Sequence, residues 1–335
     1  MSLPHLRQLG SETIIYGLSG VLLRFLTVFL IPIYTRIFAP EDYGVMSLIG
    51  ATVAVISIFA VLALDNSAGR WYWDTEVLDD RKVTVASWTW CQLTVSSLLA
   101  LMMFSMADWL GHLIIGRDDA GLYFRLAALA LPLGVLGGVI NSWLRMQRRP
   151  WATMVYALSI TLLNILLTIL LVIGLRWGLK GVYVAQLITA GVATVVAAWI
   201  MQDWLSPRFF NWKRLREMLR FGLPLIPAAL AFWALNLSDR YFIEFYESTS
   251  EVGLYAVGGS IAALVAIATG AFQLAWGPFA MSIHKNPDAK QVYATVLLAY
   301  LWLACLVSST VTLLAPEAIR LVATEQYMGA STVVG

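Results

Sequence analysis

Apolar residues run along this chain in stretches of about 20 or more, separated by short polar turns. They predict membrane-spanning helices over 13–35, 44–67, 84–107, 121–143, 152–175, 180–201, 221–246, 252–275 and 291–314, with another beginning near Tyr327. A membrane barrel would alternate apolar and polar positions over about 10 residues, and these stretches do not. In lipid a continuous apolar segment satisfies its own backbone only as a helix. The turn at Trp177-Gly178-Leu179-Lys180 is so short that the helices flanking it must be antiparallel neighbours. The expected fold class is therefore all-α integral membrane, a polytopic transmembrane helix bundle.

Composition strengthens that reading. Apolar residues make up 60% of the 335 and charged residues 13%, more apolar surface than one water-soluble core can hide. The residues Met1 to Gly10 run into a long apolar segment with no small-residue cleavage site, which predicts a retained first span rather than a signal peptide. Cys91 and Cys305 both fall in apolar stretches, so neither a disulfide framework nor a cysteine metal site is expected. His5, His112 and His284 are scattered at predicted ends and loops. There is no Gly-Lys phosphate loop and no outer loop long enough for a catalytic domain, so neither an enzyme nor a cofactor is expected. Nothing points to nucleic acid.

The basic residues set an orientation. With a cytoplasmic N-terminus, inner connections hold 14 Lys and Arg, among them Arg70, Arg81, Lys82, Arg145, Arg148, Arg149 and the cluster from Arg208 to Arg220, against 6 outside. Trp71, Tyr72, Trp73, Trp109 and Trp204 fall at span ends, as an interfacial belt requires. Localisation in the bacterial inner membrane, multi-pass with the N-terminus cytoplasmic, is the expectation. Between Ser206 and Arg220, Phe209, Trp212, Leu215 and Leu219 recur at helical spacing among five basic residues. That pattern predicts an amphipathic helix on the inner leaflet, acting as a tether between bundles or as a docking element.

An internal repeat is legible. Tyr16-Gly17-Leu18 opens the first span as Phe221-Gly222-Leu223 opens the seventh, Gly44 corresponds to Gly253, and Tyr123 corresponds to Tyr327, at offsets of 205, 209 and 204. The implied unit has about six spans, so both copies share one orientation and a site between two rocking bundles is expected. The resulting division is an N-terminal lobe over 1–205, a basic linker over 206–220 and a C-terminal lobe over 221–335 that stops short of six helices.

Charges within spans carry the candidate chemistry, because one at the bilayer centre costs about 2.5–3.5 kcal/mol on insertion scales. Arg24 lies near the middle of the first span, where its forked guanidinium suits paired phosphate oxygens or a partner on another helix. Asp239 and Arg240 stand near the outer end of the seventh span. Glu244, four residues on, offers a local salt bridge; an outer gate or headgroup contact is the other reading. Asp65, Asn66 and Arg70 close the second span, with Asp65 either paired or simply solvated. Arg125 either contacts a headgroup or snorkels. Asn164, Asn236, Gln186 and Gln273 suit interhelical hydrogen bonds as well as any ligand. Pro32, Pro132, Pro224 and Pro227 are expected to interrupt helices.

Three stretches together resemble the polysaccharide flippase family, the O-antigen and exopolysaccharide translocases of the multidrug/oligosaccharidyl-lipid/polysaccharide exporter superfamily. The first is Gly17 through Arg24 with Phe29-Leu30-Ile31-Pro32-Ile33-Tyr34-Thr35-Arg36 and Ala39-Pro40-Glu41-Asp42-Tyr43-Gly44. The second is Arg220-Phe221-Gly222-Leu223-Pro224-Leu225-Ile226-Pro227 leading to Leu237-Ser238-Asp239-Arg240-Tyr241. The third is Val252-Gly253-Leu254-Tyr255-Ala256-Val257, with Trp276-Gly277-Pro278-Phe279 beyond. The resemblance implies two similar six-helix lobes shaped like the multidrug and toxin extrusion (MATE) transporters, with the second lobe incomplete here. It implies as substrate a lipid-linked oligosaccharide on undecaprenyl pyrophosphate, moved to the outer leaflet, with Arg24 toward the pyrophosphate. Membrane lipids, a polysaccharide polymerase and a chain-length regulator are the implied partners. A multidrug or cation exporter of the same architecture is the alternative, and that class needs a deep carboxylate, which the spans do not display.

Overall fold

The structure, a computed structural model, describes residues 15–23, 25–26, 29–263, 276, 280 and 288–334. The described residues are overwhelmingly helical. Seven helical stretches among them, two of which are interrupted, are long and apolar enough to cross a membrane: Pro40–Trp73, Leu78–Ser105, Ala120–Met146, Pro150–Gly174, Gly178–Ile200, Trp212–Leu237 and Ala289–Val322. The expected all-α polytopic bundle is thus the observed one. The predicted spans 13–35 and 252–275 are described only in part.

The chain divides into two compact units, one formed by Met1–Ser19 and Val45–Thr249, the other by Gly20–Gly44 and Ser250–Gly335. In chain order the helices are α1 (Ile31–Ile37), α2 (Pro40–Val61), α3 (Leu64–Trp73), α4 (Leu78–Ser105), α5 (Ala107–Ile114), α6 (Ala120–Met146) and α7 (Pro150–Ile169). They continue with α8 (Gly178–Ile200), α9 (Trp212–Gly222), α10 (Ile226–Leu237), α11 (Asp239–Tyr246), α12 (Thr249–Ala262), α13 (Ala289–Val322) and α14 (Ser331–Val334).

The first unit packs α4, α6 and α8 around a core in which Leu64, Trp88, Ile140, Trp143, Met201 and Met218 are buried. α7 ends in a π-helical turn and is followed at once by α8. The two lie against each other as expected, with Asn164 Nδ2 donating to Thr189 Oγ1 at 3.3 Å. Outward leucines and tryptophans such as Leu101, Leu166, Trp199 and Leu235 stay exposed, which suits lipid and not water.

The basic amphipathic helix appears as α9, starting at Trp212 rather than Ser206, with Asn211 capping it by accepting from the Arg214 amide at 3.1 Å. Its surroundings differ from the expected leaflet surface. Leu215 and Met218 are buried in the protein core, and Arg214 donates to Asp80 at 2.8 Å and to Thr84 at 2.9 Å on α4. The apolar stripe is covered by α3 and α4, while Trp212 remains exposed.

In the second unit, Ile31, Val257, Ile261, Ile319 and Tyr327 form the core. Tyr327 is fully buried and its hydroxyl donates to the Phe38 carbonyl at 2.9 Å. Thr324 Oγ1 donates to Thr35 O at 3.1 Å, tying the end of α13 to α1.

Candidate functional site

The predicted span 44–67 is not one helix. It stops at Val61, passes through Leu62 and Ala63 at φ of 53° and 52°, and restarts at Leu64. Two consecutive left-handed residues that are not glycine cost about 1–2 kcal/mol each, so the surroundings must hold them. Three contacts do. Gln92, fully buried on α4, donates from Nε2 to the released Val61 carbonyl at 2.7 Å. Ser67 Oγ donates to Met218 O on α9 at 2.9 Å. Gly222 lies so close that a Cβ there would sit 2.8 Å from Leu62 O and 3.0 Å from Ser67 Oγ.

This break turns the chain beside a cavity of about 780 Å³ in the first unit, walled by α2, α3, α6 and α10. Ala54, Ile58, Val61, Ala63, Met146, Ile226 and Ala229 give it apolar sides; Ser57, Asp65, Asn66, Ser142 and Arg145 give it polar ones, and Trp73 completes it. Asp65 is half-buried and accepts from Gln92 Nε2 at 3.3 Å. Arg145 donates to Ser142 Oγ at 3.2 Å. A cavity with one carboxylate, one guanidinium, an amide and two hydroxyls among apolar walls can hold a ligand that is both charged and hydroxylated. Irregular backbone at membrane depth is tolerated where it lines such a cavity.

The structure brings Asp65 and Asn66 into one wall and leaves other candidates elsewhere. Arg70 is exposed and stacks over Trp71 at 5.1 Å and Phe221 at 5.0 Å. Arg125 pairs with Asp108 and lies 6.0 Å from the Phe104 ring. The Asp239 carboxylate accepts from the Arg240 amide at 2.9 Å, Arg240 donates to Asn236 O at 3.2 Å, and Glu244 accepts from Thr249 Oγ1 at 2.8 Å. None of these is among the cavity-lining residues. Pro32 stands in the first turn of α1, and Pro224 lies in the 3₁₀ turn Leu223–Leu225 that separates α9 from α10, with Pro227 just beyond, so the expected interruptions occur there. α10 and α11 are set against α2 by Trp233, which donates to Ala51 O at 3.0 Å, and by Tyr241, whose hydroxyl lies 2.8 Å from Thr52 Oγ1. Arg24 lies outside the described residues, as does Gln273.

Arg145 and Gln92 are the members that sequence reasoning missed. Gln92 carried a signal, as a lone amide in the apolar run of α4. Arg145 read as one more basic residue of an inner connection.

An all-α bundle with this helix order is the architecture of the MATE transporters. A multidrug resistance MATE family transporter of the MOP superfamily in an inward-facing conformation superposes with a TM-score of 0.66 at 17% identity, over 93% of this chain and 75% of that one. The MATE multidrug transporter DinF-BH gives 0.63 at 19% identity over 97% and 77%. A MOP superfamily transporter from Pyrococcus furiosus gives 0.57 at 19% identity over 96% and 77%. These are likenesses of fold. The chain belongs to the polysaccharide biosynthesis protein family, whose profile matches residues 33–332. It is also 26% identical over 245 residues to the succinoglycan biosynthesis transport protein ExoT of Rhizobium meliloti (strain 1021), which covers 72% of this chain and 47% of that protein. The chain thus spans about half the length of that relative.

Proposed function

We propose that this chain serves as a flippase that moves a lipid-linked oligosaccharide, carried on a polyprenyl pyrophosphate, from the cytoplasmic to the outer leaflet of the bacterial inner membrane for surface polysaccharide synthesis. Family membership over residues 33–332 is the observation that carries the reading. The likeness to a succinoglycan transport protein supports an exopolysaccharide rather than an O-antigen product. The cavity supports it chemically. Hydroxyl and amide groups beside Arg145 suit sugar and phosphate oxygens, while the polyprenyl tail stays in lipid outside. Arg24 enters this reading as a pyrophosphate contact in the first span. Transport is by alternating access and needs no covalent chemistry from the protein.

Deleting the gene tests it. The expected outcome is lipid-linked oligosaccharide accumulating in the cytoplasmic leaflet with surface polysaccharide lost, and restoration by the wild-type chain. Normal surface polysaccharide in the deletion strain overturns the reading.

One observation favours a second reading. Asp65 is a carboxylate in the wall of the cavity, the group that an exporter exchanging cations for drugs would need. Loss of cationic dye efflux in the same strain, with polysaccharide intact, would select that alternative.

A further inference from the structure

At the edge of the cavity stands Trp73, which is both a lining residue and 50% exposed, so it marks the opening. Two guanidiniums lie over its ring, Arg148 at 5.0 Å and Arg81 at 5.6 Å. Arg81 is further fixed by donating Nε to Thr75 O at 2.8 Å and by lying 4.8 Å from the Tyr72 ring. Tyr72 packs on Trp73 at 5.5 Å, stacks on Trp204 at 6.3 Å and accepts from Gln147 Nε2 at 2.9 Å, so the aromatic platform is tied to its neighbours.

Arg148 is held there by an unusual choice of residue. α6 ends in a Schellman motif, with Arg149 N donating to Leu144 O at 3.1 Å and Arg148 N to Arg145 O at 3.0 Å. The C′ position of that motif is left-handed and favours glycine, yet Arg148 occupies it at φ 51°. An arginine there costs about 1 kcal/mol of backbone energy. Arg81, Arg145 and Arg148 make no ion pair among the described residues, so most of their donors remain open; Asp65 is the carboxylate that shares the cavity with Arg145.

We propose that Arg81 and Arg148, stacked over Trp73 at the opening of this cavity, together with Arg145 in its wall, form a docking subsite for the diphosphate of a prenyl-linked saccharide before it enters. This rests on the flippase reading above. Cation–π contact positions a guanidinium without consuming its N–H donors, which then meet phosphate oxygens in pairs. Three clustered cations exceed what the single charge of a bulk phospholipid requires and suit a diphosphate. The subsite lies at the ends of membrane-spanning helices, where a lipid headgroup travels.

The test uses the full chain in phosphatidylcholine nanodiscs, titrated with geranylgeranyl diphosphate. Arg81→Gln with Arg148→Gln should raise Kd at least about tenfold, as expected for losing charge-assisted pairs. Arg176→Gln, the same charge change far along the chain, should leave it within about twofold. Arg148→Gly removes the guanidinium while easing the left-handed backbone, so weakened binding in that variant cannot be misfolding. An unchanged Kd in the double variant overturns the subsite, as does displacement of the probe by an equal mole fraction of phosphatidylglycerol. The two readings fail separately. Binding through these arginines with no oligosaccharide movement sinks the flippase reading alone; full movement and unchanged Kd in the double variant sink the subsite alone.

Discussion

Gln92 Nε2 bridges two groups that the break between α2 and α3 brings together, the Val61 carbonyl at 2.7 Å and the Asp65 carboxylate at 3.3 Å. One buried amide on α4 thereby closes the hydrogen-bond deficit of an interrupted helix and sets a cavity-wall side chain. Gln92→Leu should leave that carbonyl unpaired in a dry interior and destabilise the protein by about 1–3 kcal/mol. Thermal unfolding in detergent checks this; an unchanged midpoint would mean the carbonyl finds water instead.

Ala63→Gly gives a sign test of the break itself. In a regular helix the change costs about 1 kcal/mol, whereas at φ 52° it removes left-handed strain and should raise stability by about 1 kcal/mol. A lowered unfolding midpoint would show a continuous helix at this position.

Gly222→Ala should act in the opposite direction. Its methyl would lie 2.8 Å from Leu62 O and 3.0 Å from Ser67 Oγ, so α9 must move off the break, at about 1–3 kcal/mol. The expected readout is faster proteolysis around 62–67 together with reduced transport.

Arg145→Gln keeps a hydrogen-bonding side chain in the cavity wall and removes its charge. Oligosaccharide translocation should fall by about tenfold or more while membrane insertion stays normal. Arg24→Ala should abolish translocation in the same assay. Wild-type surface polysaccharide from either variant would remove that residue from the proposed path.

Tyr327→Phe tests the second unit. It deletes the donor to Phe38 O from a fully buried ring and should cost about 1–3 kcal/mol, read as a lower unfolding temperature with insertion unaffected.

The spans were legible because lipid demands about 20 apolar residues of any helix that crosses it, and that demand is written directly in composition. Short turns and the interruption at Pro224 were legible for the same local reason, whereas Pro132, also expected to interrupt its helix, lies inside an unbroken α6. The break at Leu62 and Ala63 was not, since Val61-Leu62-Ala63-Leu64 contains no glycine or proline and is an ordinary helical string. Only Gln92, Ser67 and Gly222, distant in sequence, make the irregular backbone affordable. The apolar stripe of α9 was visible, but Leu215 and Met218 look alike whether they meet acyl chains or α3 and α4. Arg145 was hidden among loop charges because the last turn of a helix can face a cavity or water with identical sequence.

A proline withholds one helical hydrogen bond in every state, since the missing amide proton never returns. The interruption at Leu62 and Ala63 keeps both amide protons, so zipping it shut requires only rotation about four backbone bonds and creates no orphan donor. The cavity wall is therefore built on a joint that the covalent chain leaves free to straighten.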